Sequence, residues 1–130
     1  MGVTDAATPT LSPADVRREI RDRLLAAEGD RVAAIYLFGS RAKGTARPRS
    51  DWDVAVVMHD RVEDWADEAM RVGSMFYGGP FSVDLHVFDV EEFGADSDLP
   101  GTLARAVAVA SETLYEHPAW SRPPTRPRVG

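Results

Sequence analysis

The sequence predicts a single domain of the α/β class, which can also be described as α+β, with a small mixed β-sheet flanked by helices. The apolar and turn-forming residues indicate elements in the order helix, strand, strand, helix, strand, helix. Residues 54–58 are apolar without alternation, which is typical of a strand covered on both faces. Residues 81–88 send successive side chains to alternate faces, with apolar residues at every second position from Phe81, as expected for a further strand.

The first helix is predicted from Ser12 onward. Ser12 is a good N-cap, Pro13 fits the first turn, and Asp15 stands at the position that completes a capping box. Gly29 is a suitable C-terminal stop. An apolar stripe at helical spacing follows the cap: Val16, Ile20, Leu24 and Ala27. This helix is therefore expected to pack on the core and to carry no chemistry.

Two adjacent strands are predicted at 32–37 and 53–58, joined by a long loop that holds a Gly-Ser pair and a basic run. The second main helix is expected after residue 60 and ends near Gly78-Gly79, a turn signal. Its apolar positions at helical spacing are Val62, Trp65, Ala66, Ala69 and Val72. A last helix follows residue 99, and a short strand at 113–115 is an open alternative for its end.

Composition limits the kinds of function. The chain of 130 residues has no cysteine, so a metal would be held by oxygen or imidazole. A net charge of −6 argues against broad nucleic-acid binding. No apolar run reaches the roughly 20 residues of a membrane span, and the first ten residues lack signal-peptide features. A cytoplasmic protein is therefore expected.

The predicted domain spans residues 12–116. Residues 1–11 are small and polar and are expected to be a flexible lead. Residues 117–130 are rich in proline and arginine and are expected to be a disordered tail. Docking of this tail on a partner is the alternative.

Charge is segregated along the chain. Five bases and no acid lie between Asp30 and Asp51, whereas thirteen acids and two bases lie from Asp51 to Asp98. This pattern suits a ligand that carries negative charge together with a bound cation. A solvated surface loop is the simpler alternative for the basic run.

Asp51 and Asp53 stand two residues apart at the start of a strand, so both side chains are expected on one face. Carboxylates that close repel unless a cation or proton lies between them, and Mg²⁺ prefers such oxygen ligands. Asp84, on the polar face of another strand, is a candidate third carboxylate, and three carboxylates can hold two ions. Strand capping for the pair and simple exposure for Asp84 remain alternatives.

Gly39 and Ser40 follow a strand and precede a segment that can turn helical. Glycine allows close approach of a ligand, and exposed N–H groups with a hydroxyl can hold phosphate oxygens. Neither the P-loop pattern nor the dinucleotide fingerprint occurs here. An ordinary tight turn is the alternative.

Together these pieces resemble a known family. The stretch GSRAKGTARPRSDWD has Gly-Ser, ten residues and Asp-x-Asp, and it is similar to the motif of the minimal nucleotidyltransferases, the MNT proteins of the DNA polymerase β superfamily. The resemblance extends to LFGSRAKG, VDLHVF and TLYE and covers roughly residues 12–116. It implies the nucleotidyltransferase fold.

The resemblance also implies roles for individual residues. Gly39 and Ser40 would hold the nucleotide triphosphate, and Arg41 would add charge to that site. A further set, Asp51, Asp53 and Asp84, would bind two Mg²⁺ ions, with Asp84 helping to activate the acceptor hydroxyl. The reaction would transfer a nucleoside monophosphate, with ATP as the expected donor.

Many members of this family resemble antitoxins that act with a HEPN-domain toxin, some by adding AMP to the toxin. The expected function is therefore an antitoxin that modifies a tyrosine of such a partner. Two alternatives remain. One is a module that neutralises its partner by occlusion, and the other is an enzyme that transfers the nucleotide to a small molecule. In so short a chain, the acceptor pocket would come largely from a partner or from a second copy.

Two residues depart from the simple motif. Trp52 stands between the acids, where the family commonly has a smaller aliphatic residue, and alternation sends it to the opposite face. Packing is expected there, with base stacking as the alternative. His86 shares the face of Asp84, and it is either a neighbour that supports the site or an ordinary strand histidine.

Overall fold

The computed structural model of the protein describes residues 11–121. The predicted flexibility of residues 1–10 and disorder of residues 122–130 fall outside this range. The helices are α1 (Pro13–Glu28), α2 (Gly39–Lys43), α3 (Trp65–Gly73), α4 (Val90–Asp96) and α5 (Leu103–Val109). The strands are β1 (Val32–Phe38), β2 (Trp52–Met58), β3 (Val83–Asp89) and β4 (Glu112–Glu116).

The strands form one mixed sheet in the order β3-β2-β1-β4. β2 and β3 run parallel, whereas β1 is antiparallel to both β2 and β4. One face of the sheet packs against α1 and α3, and the other packs against α4 and α5. Covering both faces explains why the two central strands are apolar without alternation. The predicted α/β class and mixed sheet are confirmed.

Local signals set the ends of α1 as predicted. The Ser12 hydroxyl accepts a hydrogen bond from the Asp15 N–H at 3.0 Å, and the Asp15 carboxylate accepts one from the Ser12 N–H at 3.3 Å. At the other end, the N–H of Gly29 donates to the carbonyl of Leu25. The capping box fixes where the helix begins. Val16, Ile20 and Leu24 of the predicted stripe then face the sheet, whereas Ala27 is exposed and the partly buried Leu25 packs against the core.

The second main helix is shorter than predicted. The Asp64 side chain accepts a hydrogen bond from the Asp67 N–H at 2.9 Å, which fixes the start of α3 at Trp65. The chain continues from α3 into a 3₁₀ turn at Ser74–Phe76. Trp65 is consequently 57% exposed and lies outside the apolar stripe in which the sequence pattern had placed it.

Helix α4 was not predicted. Its seven residues contain one large buried anchor, Phe93, and a glycine in the final turns, so its apolar pattern is too short to detect. The Asp89 carboxylate starts it by accepting a hydrogen bond from the Glu92 N–H at 2.8 Å. The other oxygen of Asp89 accepts from the Val62 N–H at 3.0 Å. This acid therefore ties β3, α4 and the loop after β2 together.

The first residues of the predicted tail make hydrogen bonds to the sheet. The His117 N–H donates to the carbonyl of Ala33 at 2.8 Å, and the indole N–H of Trp120 donates to the Tyr36 hydroxyl at 2.9 Å. The Tyr36 hydroxyl donates to Glu116 at 2.6 Å. The partly buried Trp120 ring packs against the core, and its indole N–H has an acceptor, so it stabilises this turn. Among residues 11–121, no helix is long and apolar enough to cross a membrane.

Candidate active site

The Gly-Ser pair lies where β1 ends and α2 begins. Phe38, the last residue of β1, pairs with Asp53 in the antiparallel register, so Gly39 follows directly beside that acid. Gly39 has a φ of 73°, and a Cβ at this position would overlap the Asp53 carboxylate. Both the backbone conformation and the contact therefore require glycine.

α2 is a single short turn that displays the start of a helix beside the acids. It ends at Gly44, a left-handed C-cap with a φ of 75° whose N–H donates to the carbonyl of Ser40. The first amides of a helix have no acceptor inside the helix and carry its positive end. The amides that begin at Gly39 therefore suit a phosphate group, as the sequence predicts.

Asp53 and Asp84 are direct neighbours across the parallel strands β2 and β3. Residues in register on parallel strands project to the same side, which here is the side of α4 and α5. Asp51 stands one residue before β2 and is exposed. The structure therefore brings Asp53 and Asp84 together and places Asp51 at the open end of the strand.

The surroundings of Asp53 disfavour the negatively charged form of its carboxyl group. Burial raises the pKa of this carboxyl most, and the Asp84 and Asp51 carboxylates raise it further, while His86 opposes the shift. Because burial and the neighbouring carboxylates both disfavour the charged form of Asp53, a bound cation would stabilise that form. The site is thus electrostatically suited to a positive ligand.

The donor chemistry fits Mg²⁺. Carboxylate oxygens are its preferred protein ligands, and it usually keeps several waters and substrate phosphates as the remaining ligands. In the part of the chain that the structure describes, no group of three or more histidine, aspartate or glutamate side chains is arranged to enclose an ion. An ion shared with a nucleotide matches this open arrangement better than a closed structural site.

His86 lies beside the third carboxylate. Its Nε2 atom is 3.4 Å from the Oδ2 atom of Asp84, and its ring centroid is 5.5 Å from that of Phe38. The sequence left its role open between a supporting neighbour and an ordinary strand residue. The structure places it where it can orient Asp84.

Arg41 points away from the acids. Its guanidinium Nη2 donates to the carbonyls of Ser50 at 2.7 Å and Pro48 at 3.2 Å, and it lies 4.5 Å from the centroid of the Trp52 ring. Trp52 is 4% exposed and packs on the α1 side of the sheet, as alternation predicts. Arg41 thus holds the loop between the Gly-Ser pair and the acids.

Arg41→Ala is expected to lower the free energy of unfolding by about 1–3 kcal/mol, because the part-buried carbonyl of Ser50 and the exposed carbonyl of Pro48 lose a charged donor. Loss of these hydrogen bonds should also loosen the loop, which is expected to slow nucleotide transfer roughly tenfold with little change in the KM for ATP. Urea unfolding and initial-rate kinetics measure both effects, and Arg49→Ala, an exposed cation of the same loop, is the control. A higher KM with unchanged stability would instead show that Arg41 contacts phosphate.

A cavity of about 640 Å³ lies on the opposite side of the sheet from the carboxylates. Trp52, Phe81, Arg41 and Arg49 are among its lining residues, and none of the three acids is. The cavity is therefore separate from the place where the Gly-Ser pair and the acids meet. Its size alone gives no reason to locate the chemistry there.

Sequence comparison assigns the matched region to a family. The model described as polymerase beta, nucleotidyltransferase matches residues 23–92, more than half of the chain. This range contains the Gly-Ser pair and all three acids. A search of curated proteins found no match.

Solved structures share the fold. A putative nucleotidyltransferase from Sulfolobus solfataricus is 22% identical with a TM-score of 0.54, over 85% of this chain and 93% of that one. A toxin–antitoxin structure with AMP-PNP is 23% identical with a TM-score of 0.51, over 78% of this chain and 74% of that one. A mutant of the toxin–antitoxin MntA-HpeT is 21% identical with a TM-score of 0.50, over the same shares.

Proposed function

The chain belongs to the polymerase beta nucleotidyltransferase family, and we propose that it transfers AMP from ATP to a hydroxyl group of a partner protein. The observation that carries this proposal is the contact set around Asp53. Its carboxylate lies against Gly39 at the start of α2 and directly opposite Asp84 on the next strand. The start of α2 and two acids thus meet at one place, and this supports a site for a phosphate and a cation.

A partner protein is the acceptor that best suits this chain. Within residues 11–121 no second lobe surrounds the carboxylates, which favours an acceptor that brings much of its own binding surface. The likeness in fold to toxin–antitoxin complexes, one of them with the ATP analogue AMP-PNP, supports an antitoxin that modifies its toxin. A tyrosine of a HEPN-type toxin in the cytoplasm, where ATP is available, is the proposed target.

The reaction forms one bond and breaks one bond. The acceptor oxygen attacks the α-phosphorus of ATP, the bond from that phosphorus to the oxygen bridging to the β-phosphate breaks, and pyrophosphate leaves. Asp84 takes the proton of the acceptor hydroxyl. The amides at Gly39 and Ser40 hold the phosphates of the leaving group.

Asp51 and Asp53 would hold Mg²⁺ together with the nucleotide. When bound, Mg²⁺ neutralises phosphate charge and lowers the pKa of the attacking hydroxyl. The side chain of His86 keeps the Asp84 carboxylate oriented toward the acceptor. The groups proposed for these roles lie near the end of β1 and the starts of β2 and β3.

The test uses the purified protein, ATP labelled at the α-phosphate, Mg²⁺ and the product of the neighbouring open reading frame as acceptor. Label is expected on a tyrosine of the acceptor, and chelation with EDTA should remove the activity. Asp84→Asn should slow transfer by roughly 10²–10⁴-fold, whereas Asp98→Asn, an exposed acid outside the site, should not. A partner that is neutralised without any label would favour occlusion instead.

A further inference from the structure

A small pocket lies beside β3, which is the edge strand of the sheet next to the carboxylates. Its volume is about 230 Å³, and its walls come from β3, α3, α4 and the start of α5. His86 forms part of the wall, and its Nε2 atom lies 3.4 Å from the Oδ2 atom of Asp84. A ligand in this pocket that contacts His86 is therefore one side chain away from Asp84, the proposed proton acceptor.

Two apolar side chains at the pocket are exposed to solvent. Trp65, at the start of α3, is 57% exposed, and Leu103, at the start of α5, is 37% exposed. Exposed tryptophan beside a concavity is a common anchor of protein interfaces. The two side chains belong to different helices, so the fold brings them together at this one pocket.

The pocket also carries negative charge. Glu92 and Asp96 line it, and the pKa of Glu92 is raised by burial and then by the Asp89 and Asp96 carboxylates. A cation from a partner would relieve this repulsion, whereas a nucleotide phosphate or a nucleic acid would add to it. The charge therefore selects a basic occupant.

The volume of the pocket further limits the kind of occupant. A volume of about 230 Å³ is below the roughly 300–1,000 Å³ of typical small-molecule sites. It suits a single side chain of a larger partner. A pocket with an apolar rim and acidic walls beside the catalytic acids fits a protein segment better than a free metabolite.

On the premise of the proposed function, we propose that this pocket docks a basic segment of the acceptor protein. An aromatic or apolar side chain of the segment contacts Trp65 and Leu103. Lysine or arginine residues of the segment pair with Glu92 and Asp96. This arrangement brings the acceptor hydroxyl beside Asp84.

The test measures the binding of a peptide to the full, ¹⁵N-labelled chain by NMR, without nucleotide or Mg²⁺. The probe is a synthetic peptide with one tyrosine, one leucine and three arginines, and a second peptide has glutamates in place of the arginines. The basic peptide is expected to shift the amide resonances of Trp65, His86 and Leu103, and the acidic peptide is not. Trp65→Ala and the double variant Glu92→Gln/Asp96→Asn should each weaken binding by about tenfold or more.

Matched variants separate docking from general attraction between opposite charges. Met70→Ala removes another exposed apolar side chain of α3, and Glu19→Gln/Asp22→Asn removes two charges from α1. Both are expected to change the affinity by less than about twofold. If they weaken binding as much as the pocket variants do, or if the pocket resonances do not move, the docking proposal is wrong.

Two other occupants would also overturn the proposal. ATP that shifts the same resonances would make the pocket part of the nucleotide site. A dimer that Trp65→Ala dissociates, seen by sedimentation, would assign the pocket to a second copy of the chain. Binding is measured without nucleotide, so it does not depend on catalysis. If the peptide docks but the protein transfers no AMP, the proposed function is contradicted and the docking proposal is not.

Discussion

Gly39→Ala is expected to lower the rate of nucleotide transfer by at least about a hundredfold, because it displaces a group that must be positioned for catalysis. The added Cβ would overlap the Asp53 carboxylate, so either the acid or the start of α2 must move. Either movement separates the amides proposed to bind phosphate from the proposed metal ligand.

The same substitution is expected to destabilise the fold. Gly39 has a φ of 73°, and a left-handed conformation costs an L-residue roughly 1–2 kcal/mol. The contact with Asp53 adds to this cost. The free energy of unfolding, measured in urea, should therefore fall by more than the conformational cost alone.

Two other glycines provide matched controls. Gly44 and Gly78 both have a φ of 75°, and a Cβ at either position would meet nothing within 4 Å. Gly44→Ala and Gly78→Ala should show the conformational cost but keep transfer within about twofold of the wild-type rate at a temperature where the variants stay folded. Equal loss of activity in all three variants would show that strain, not the contact with Asp53, explains the effect.

The parts of the fold that sequence predicts are those with local or periodic signals. The cap of α1 and three of the four residues of its predicted apolar stripe, Val16, Ile20 and Leu24, are confirmed, because these signals are local. The alternation in residues 81–88 predicted that Asp84 would lie on a polar face, and the parallel register then sets it opposite Asp53. The spacing of the Gly-Ser pair and the acids indicates the family from the sequence alone.

The parts that sequence could not predict depend on tertiary neighbours. A long side chain such as Arg41 can reach in several directions, and its choice is set by the carbonyls of Pro48 and Ser50 and by the Trp52 ring. The exposure of Trp65 depends on where Asp64 starts α3. No periodic pattern reports either fact, because both are decided by groups that meet only in the folded chain.

Asp53→Asn is expected to reduce transfer by about a thousandfold, equivalent to roughly 4 kcal/mol of transition-state stabilisation. The amide removes one of the carboxylates that would hold Mg²⁺, while its shape still fits beside Gly39. The free energy of unfolding should not fall, because the substitution removes a charge that the folded state disfavours.

The pH dependence of stability follows from the same shift. The pKa of Asp53 is higher in the folded chain than its ordinary value, so the folded state binds this proton more tightly. The wild type should therefore lose part of its stability as pH rises from the ordinary pKa through the raised one. Asp53→Asn should lack that loss, so urea unfolding is compared between about pH 4 and pH 7.

Asp89 is the informative contrast, because it is an acid on the neighbouring strand with a structural role. It is 6% exposed and accepts hydrogen bonds from the Val62 N–H at 3.0 Å and the Glu92 N–H at 2.8 Å. In Asp89→Asn, the side-chain NH₂ group replaces one accepting oxygen, so one of these backbone N–H groups faces another donor. The free energy of unfolding should therefore fall by about 1–3 kcal/mol. Transfer by the folded fraction should persist. If Asp53→Asn loses stability and Asp89→Asn loses transfer, the division between a catalytic and a structural acid is reversed.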